Sequence, residues 1–152
     1  VMLRLTRVMR KIHPNVTVAF QRPDASLPWF RGDEADLEEM AGNLLDNACK
    51  WSKGQVGVRL DAERGETGKM LLIRIGDNGP GLSEEDAQKV LRRGVRLDEK
   101  TPGTGLGLDI VKELVDVYGG SLALKRSALG GLLVEIRLPT ARLGGISKPI
   151  PA

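Results

Sequence analysis

The sequence predicts an α+β two-layer sandwich: a mixed β-sheet covered on one face by about three helices. Three observations lead there. Residues 33–53 carry a long apolar stripe at helical spacing, and residues 56–60 and 71–75 alternate with the period of strands. The elements run β-β-α-β-β-α-α-β-β, without the regular βα alternation of a doubly wound parallel sheet.

Taken in order, Leu5, Val8, Met9 and Ile12 fall at i, i+3, i+4, i+7, which predicts an amphipathic stub helix stopped by Pro14. So short a helix is marginal alone, and residues 1–14 are expected to be the end of a longer upstream helix. Val16 to Phe20 reads as a strand, Gln21 to Pro28 as loop, and Trp29 to Arg31 is compatible with a short strand. From Asp33 to about Lys53, the residues Leu37, Met40, Ala41, Leu44, Leu45 and Ala48 line one helix face. Val56, Val58 and Leu60, then Leu71, Ile73 and Ile75, form two strands joined by a turn at Gly65 to Gly68. Ser83 before Glu84, Glu85 and Asp86 marks a helix start. Residues 92–104 read as a mobile loop. Leu106 to Tyr118 is helical, closed by Gly119 and Gly120. Leu122 and Leu124, then Leu132 to Leu138, give the last strands, and residues 140–152 read as a disordered tail. The folded domain is expected over 15–139.

Composition narrows the function classes. The 152 residues are 41% hydrophobic and 28% charged, as in ordinary globular domains. A net charge of +3 with only 3% aromatics argues against nucleic acid as the ligand, since basic faces with stacking aromatics mark such binders. No apolar run approaches ~18 residues, so direct membrane contact is not expected. The lone Cys49 fits a reducing compartment, and a cytoplasmic location is expected. Cys49 and the aromatics Phe20, Trp29, Phe30, Trp51 and Tyr118 are expected in or near the core.

Two glycine patterns are decoys. Gly68-Lys69 lacks the upstream glycine of a P-loop, with Glu63 standing there, and Met70 replaces the hydroxyl residue. Gly103 to Leu108 lacks dinucleotide-fingerprint spacing, because Leu108 stands where the last glycine belongs.

Three segments carry chemistry. On the long helix, Asn43, Asn47 and Lys50 fall within roughly 60° of arc, beside the apolar stripe. Two carboxamides and an ammonium can offer oxygen to Mg²⁺ and positive charge to phosphate; a solvated polar face has the same appearance. Asp77-Asn78-Gly79-Pro80-Gly81 follows a strand and specifies a sharp elbow. Asp77 there can accept the exocyclic amine of adenine and oppose the carbonyl of guanine, or simply cap a turn. Gly103-Thr104-Gly105-Leu106-Gly107-Leu108 runs into a helix, an anion site or a plain flexible lead-in, with Arg92, Arg93 and Arg96 just upstream.

Together, in this order, the segments resemble the ATP-binding catalytic domain of bacterial two-component sensor histidine kinases, within the GHKL (Bergerat-fold) superfamily. Leu44 to Lys50 matches the N box, Asp77 to Gly81 the G1 box and Gly103 to Leu108 the G2 box, while Gly130-Gly131 resembles a remnant of the final glycine motif. The resemblance implies that Asn47 coordinates Mg²⁺ with help from Asn43, and that Lys50 contacts phosphate. It implies that Asp77 bonds adenine, with Gly79 and Gly81 shaping the pocket. Gly103, Thr104, Gly105, Leu106 and Gly107 would form the lid hinge and phosphate site, and Arg93 and Arg96 would be lid arginines. The sequence departs from the family where Val90 to Arg93 carries no Phe and where Leu132 and Leu133 replace the usual Thr or Ser.

The implied activity is transfer of the γ-phosphoryl of Mg-ATP to a histidine on a dimerisation domain. The implied partners are that domain, a downstream response regulator and a second copy in a homodimeric parent, which could be anchored in the inner membrane. The sole histidine, His13, sits in Ile12-His13-Pro14-Asn15, does not match an H box, and reads as a helix-end residue. Alternatives are a nucleotide-binding module without turnover, a GHKL-type ATPase and an anti-sigma-factor serine kinase. Hydrolytic relatives place a Glu where Asn43 stands, and a carboxamide cannot take the proton of an attacking water.

Overall fold

The computed structural model describes residues 1–21, 27, 30–65, 68–93 and 106–140, and only the backbone of 92, 93, 106 and 107. The elements are α1 (Met2–Ile12), β1 (Thr17–Gln21), α2 (Glu34–Trp51), β2 (Gln55–Gly65), β3 (Gly68–Asp77), α3 (Glu84–Arg93), α4 (Leu106–Val117), β4 (Ser121–Arg126) and β5 (Leu132–Pro139). The strands form one mixed sheet in the order β1-β2-β3-β5-β4. β1 runs parallel to β2, and every other pair is antiparallel. The expected α+β architecture is the one observed.

Local chemistry explains the helix ends. Asp33 caps α2, its Oδ1 accepting the Ala35 N–H at 2.9 Å, and Glu34 and Asp36 complement the dipole. Ser83 Oγ accepts the Asp86 N–H at 3.1 Å to start α3. Past α4, Gly119 takes φ +70°. The Gly119 N–H bonds to Asp116 O and the Gly120 N–H to Val115 O, the two bonds of a Schellman stop.

The core lies between the helices and one sheet face. Leu37, Met40, Leu44 and Leu45 of α2 and Val111 and Val115 of α4 meet Val56, Val58, Leu60, Ile73, Ile75, Ile136 and Leu138. The other face is a ladder of ions. Arg74 bridges Asp61 and Glu135 at 3.1 Å each, and Lys125 and Arg137 approach Glu135 Oε2 at 3.0 and 3.5 Å.

Several expectations shift. α1 turns Met2, Thr6 and Met9 inward, with Val1 before it also buried, leaving Val8 (41%) and Ile12 (57%) exposed. The apolar stripe misled because Thr6 can be buried cheaply: its hydroxyl donates to Met2 O at 2.8 Å. Trp51, expected near the core, is exposed at the end of α2. Phe30 makes an isolated bridge with Thr140 rather than a strand. Phe30, buried, packs its ring 5.2 Å from that of Tyr118. Residues 92 and 93 close α3, while the rest of the expected loop, and Trp29, lie outside the described residues.

Candidate functional site

The site is built around the end of β3. Asp77 is buried, and its Oδ1 accepts two backbone N–H groups, from Gly79 at 2.8 Å and Leu132 at 3.2 Å. Among the described residues nothing donates to Oδ2, so one acceptor oxygen remains for a ligand amine. Burial pushes the Asp77 carboxyl up, and the Gly79 and Leu132 N–H groups recover only part of the shift, leaving it above the ordinary value.

Two walls hold this elbow. On one side is the end of α2. Asn78 Oδ1 accepts the Lys53 N–H at 2.7 Å and the Gln55 N–H at 3.1 Å. Gly79 lies so close to Trp51 that a Cβ would stand 2.2 Å from the Trp51 carbonyl oxygen. On the other side is the β4–β5 turn. The Gly131 N–H donates to Asp77 O at 3.0 Å, and Gly81, at φ +71°, packs on the Gly131 backbone. The elbow thus needs glycine at 79 for space and at 81 for conformation.

α2 carries the other candidates. Asn43 and Asn47 are half-buried and Lys50 is exposed, on the helix whose end abuts the elbow. Asn43 Nδ2 donates to Glu39 O at 2.8 Å, which leaves its oxygen free to face a cation. The Asn47 side chain makes no hydrogen bond among the described residues. Mg²⁺ takes oxygen ligands, keeps several waters and shares substrate phosphates, so one or two carboxamide oxygens suit it. No cluster of three acidic, His or Cys side chains offers a competing metal site among the described residues. Lys50 Nζ rests 2.9 Å from Asp46 Oδ2, and Asp46 Oδ1 lies 2.9 Å from His13 Nε2. Burial would raise the Asp46 carboxyl, but the bonds and charges of Lys50 and His13 hold it below the usual carboxylate value. Neighbouring Cys49 is buried, and burial, with the Asp46 charge, pushes its thiol up to about 11, so it packs as an inert thiol.

The structure therefore brings the Asn43–Lys50 helix and the Asp77–Gly81 elbow together. The third segment is reached only at its end: Leu106 and Gly107 open α4, which packs on α2, and Arg93 closes α3. Arg96, Gly103, Thr104 and Gly105 lie outside the described residues. Gly131, in sequence only a remnant of a glycine motif, forms a wall of the Asp77 elbow. Sequence reasoning missed Asp46, whose i,i+4 spacing to Lys50 was the available signal.

The chain that carries this buried carboxylate has known relatives. Residues 32–142 match the family model described as histidine kinase-, DNA gyrase B-, and HSP90-like ATPase. The chain belongs to this ATPase family. Within the family it is similar to sensor kinases. It is 44% identical to the sensor protein kinase CarS of Pseudomonas aeruginosa over 92% of this chain and 30% of the relative. It is 31% identical to the sensor protein PhoQ of Escherichia coli K12 over 87% of this chain and 26% of the relative. The chain thus spans less than a third of the curated relatives it matches. A solved mycobacterial sensor histidine kinase, MprB, superposes with a TM-score of 0.75 at 31% identity, covering 93% of both chains. The ATP-binding domain of PrrB from Mycobacterium tuberculosis does so with 0.71 at 26% identity, over 91% of this chain and 90% of that one. The ATP-binding fold of a sensor histidine kinase is therefore the fold of this chain, and no described helix is long and apolar enough to cross a membrane.

Proposed function

We propose that this domain binds Mg-ATP and transfers the γ-phosphoryl group to a histidine on a dimerisation domain of the parent kinase. The observation that carries the reading is Asp77, buried with one carboxylate oxygen committed to the backbone and one available to an adenine amine. Gly79 and Gly81 let the elbow pack tightly on Trp51 and Gly131, which supports a fixed position for Asp77. Asn47, with Asn43, would hold Mg²⁺, which neutralises phosphate charge when bound. Lys50 adds a cation for the phosphates. Gly103, Thr104, Gly105, Leu106 and Gly107 would line the phosphates at the start of α4, and Arg93 and Arg96 would reach them from the lid.

In the transfer step the bond from the γ-phosphorus to the bridging oxygen breaks, and ADP leaves with that electron pair. A bond to phosphorus forms from the lone pair of a neutral imidazole nitrogen. That nucleophile needs no carboxylate base, which accords with Asn43 in place of a Glu. The domain's share of the work is positioning and charge neutralisation.

On this reading residues 1–14 continue a helix of the dimerisation domain, 15–139 are the catalytic domain and 140–152 a tail. The parent is a homodimer that signals to a response regulator from the cytoplasmic side. The test is transfer from γ-labelled ATP to a separately supplied dimerisation domain with an intact histidine. Acid-labile, base-stable label on that partner is expected. Binding of ATP with no label transferred would favour a module without turnover.

A further inference from the structure

We infer that His13 is a positioning residue: through Asp46 it fixes where the Lys50 ammonium stands. The inference deepens the nucleotide reading above and rests on it. His13 is the residue that ends α1, and its backbone is held on both sides, its N–H on Met9 O at 2.8 Å and its carbonyl by the Val16 N–H at 3.0 Å. Its ring therefore hangs from a fixed frame. Its Nε2 meets Asp46 Oδ1 at 2.9 Å, 33 residues away in sequence, and the side chain is only 18% exposed. The second Asp46 oxygen meets Lys50 Nζ, also at 2.9 Å.

With each oxygen engaged, the Asp46 carboxylate cannot rotate without breaking one contact. Lysine has a flexible four-carbon stem, and this anchoring selects among its rotamers. An ammonium has three donors, so one bond to Asp46 leaves two for phosphate.

The same bridge ties the site to α1. Arg10 donates to Val18 O from Nε at 3.2 Å and from Nη2 at 2.7 Å, and Arg4 ion-pairs with Glu34 and Glu38 of α2. α1 is thus seated on β1 and α2, and any displacement of its end reaches Lys50 through two contacts.

The test compares affinities for Mg-ATP and for adenosine by calorimetry at pH 8, where the ligand without phosphates is blind to Lys50. His13→Ala is expected to weaken Mg-ATP roughly threefold to tenfold, the size of one lost hydrogen bond, with adenosine unchanged. His13→Gln, which keeps a donor, should restore Mg-ATP affinity to within about twofold. His13→Phe, which keeps the ring volume, should behave as His13→Ala and stands in for it if the smaller side chain unfolds the domain. In a Lys50→Ala background, His13→Ala should add nothing. Equal losses for ATP and adenosine, or a His13→Ala effect that persists without Lys50, would overturn the inference. Wild-type ATP affinity in Lys50→Ala itself would instead overturn the phosphate role of Lys50, and with it the premise.

Discussion

Gly131 leaves no room for a side chain beside Asp77: a Cβ there would stand 2.1 Å from Asp77 Oδ1 and 2.6 Å from Gly79 N. The two residues lie on different hairpins, and the Gly131 N–H donates to Asp77 O at 3.0 Å. The turn between β4 and β5 is thereby a wall of the Asp77 elbow, where the proposed reading places the adenine. Gly131→Ala should push the elbow open. We expect about 1–3 kcal/mol of lost stability, typical of overpacking, and a fall in Mg-ATP affinity larger than that in Gly119→Ala. Paired melting and calorimetric titrations check both.

Asp77 should choose the base. On the proposed reading, its available oxygen would accept a hydrogen bond from the adenine amine and oppose the carbonyl of guanine. Wild-type protein should bind Mg-ATP and show no measurable heat with Mg-GTP. Asp77→Asn keeps an oxygen for the Gly79 and Leu132 N–H groups but turns a donor toward the base. ATP affinity should drop at least tenfold, about 1.4 kcal/mol, and the preference over GTP should narrow. Comparable GTP binding by the wild type would remove Asp77 from base recognition.

The ion ladder on the open sheet face makes an acid-sensitive contribution. Burial would raise the carboxyl of Glu135, yet bonds and charges from Lys125 and Arg74 bring it below its reference of 4.5. A depressed folded value stabilises the fold above the unfolded value and loses that stabilisation as the pH falls through the folded one. Glu135→Gln should therefore cost about 1–3 kcal/mol at pH 7. Urea unfolding should show the gap between the two proteins shrinking as the pH falls below about 4.5. A gap that stays constant to pH 3 would mean the carboxylate contributes nothing by its charge.

Tyr118 fastens the end of α4 to the start of α2. Its hydroxyl accepts the Asp33 N–H at 3.1 Å and donates to the Asp36 carboxylate. Tyr118→Phe removes both hydrogen bonds and should lower stability by about 0.5–1.5 kcal/mol. Mg-ATP affinity should stay within about twofold, because neither partner faces the elbow.

Much of this was legible wherever one segment decides its own structure. The Asp33 cap, the Gly119–Gly120 stop and the alternation of Leu71, Ile73 and Ile75 are local, and the helices and strands follow from them. The placing of Asn43, Asn47 and Lys50 on one helix and of Asp77 at a sharp turn after a strand was legible because spacing and turn residues set both. Relations between distant segments were not. Nothing near His13 announces Asp46, and nothing near Gly131 announces Asp77, since tertiary packing alone creates those contacts. The inward face of α1 escaped because a hydroxyl satisfied within its own helix hides the polarity of Thr6.

On the proposed reading, the elbow at Asp77 takes the base and the Asn43–Lys50 face of α2 takes the phosphates. Backbone amide NMR with two ligands distinguishes the two contacts. Adenosine should shift the signals of Asp77, Gly79, Gly131 and Leu132 alone. A magnesium complex of a non-hydrolysable ATP analogue should shift these together with Asn43, Asn47 and Lys50. Shifts confined to the Arg74–Glu135 face, or an analogue that leaves Asp77 and Gly131 unmoved, would contradict the account.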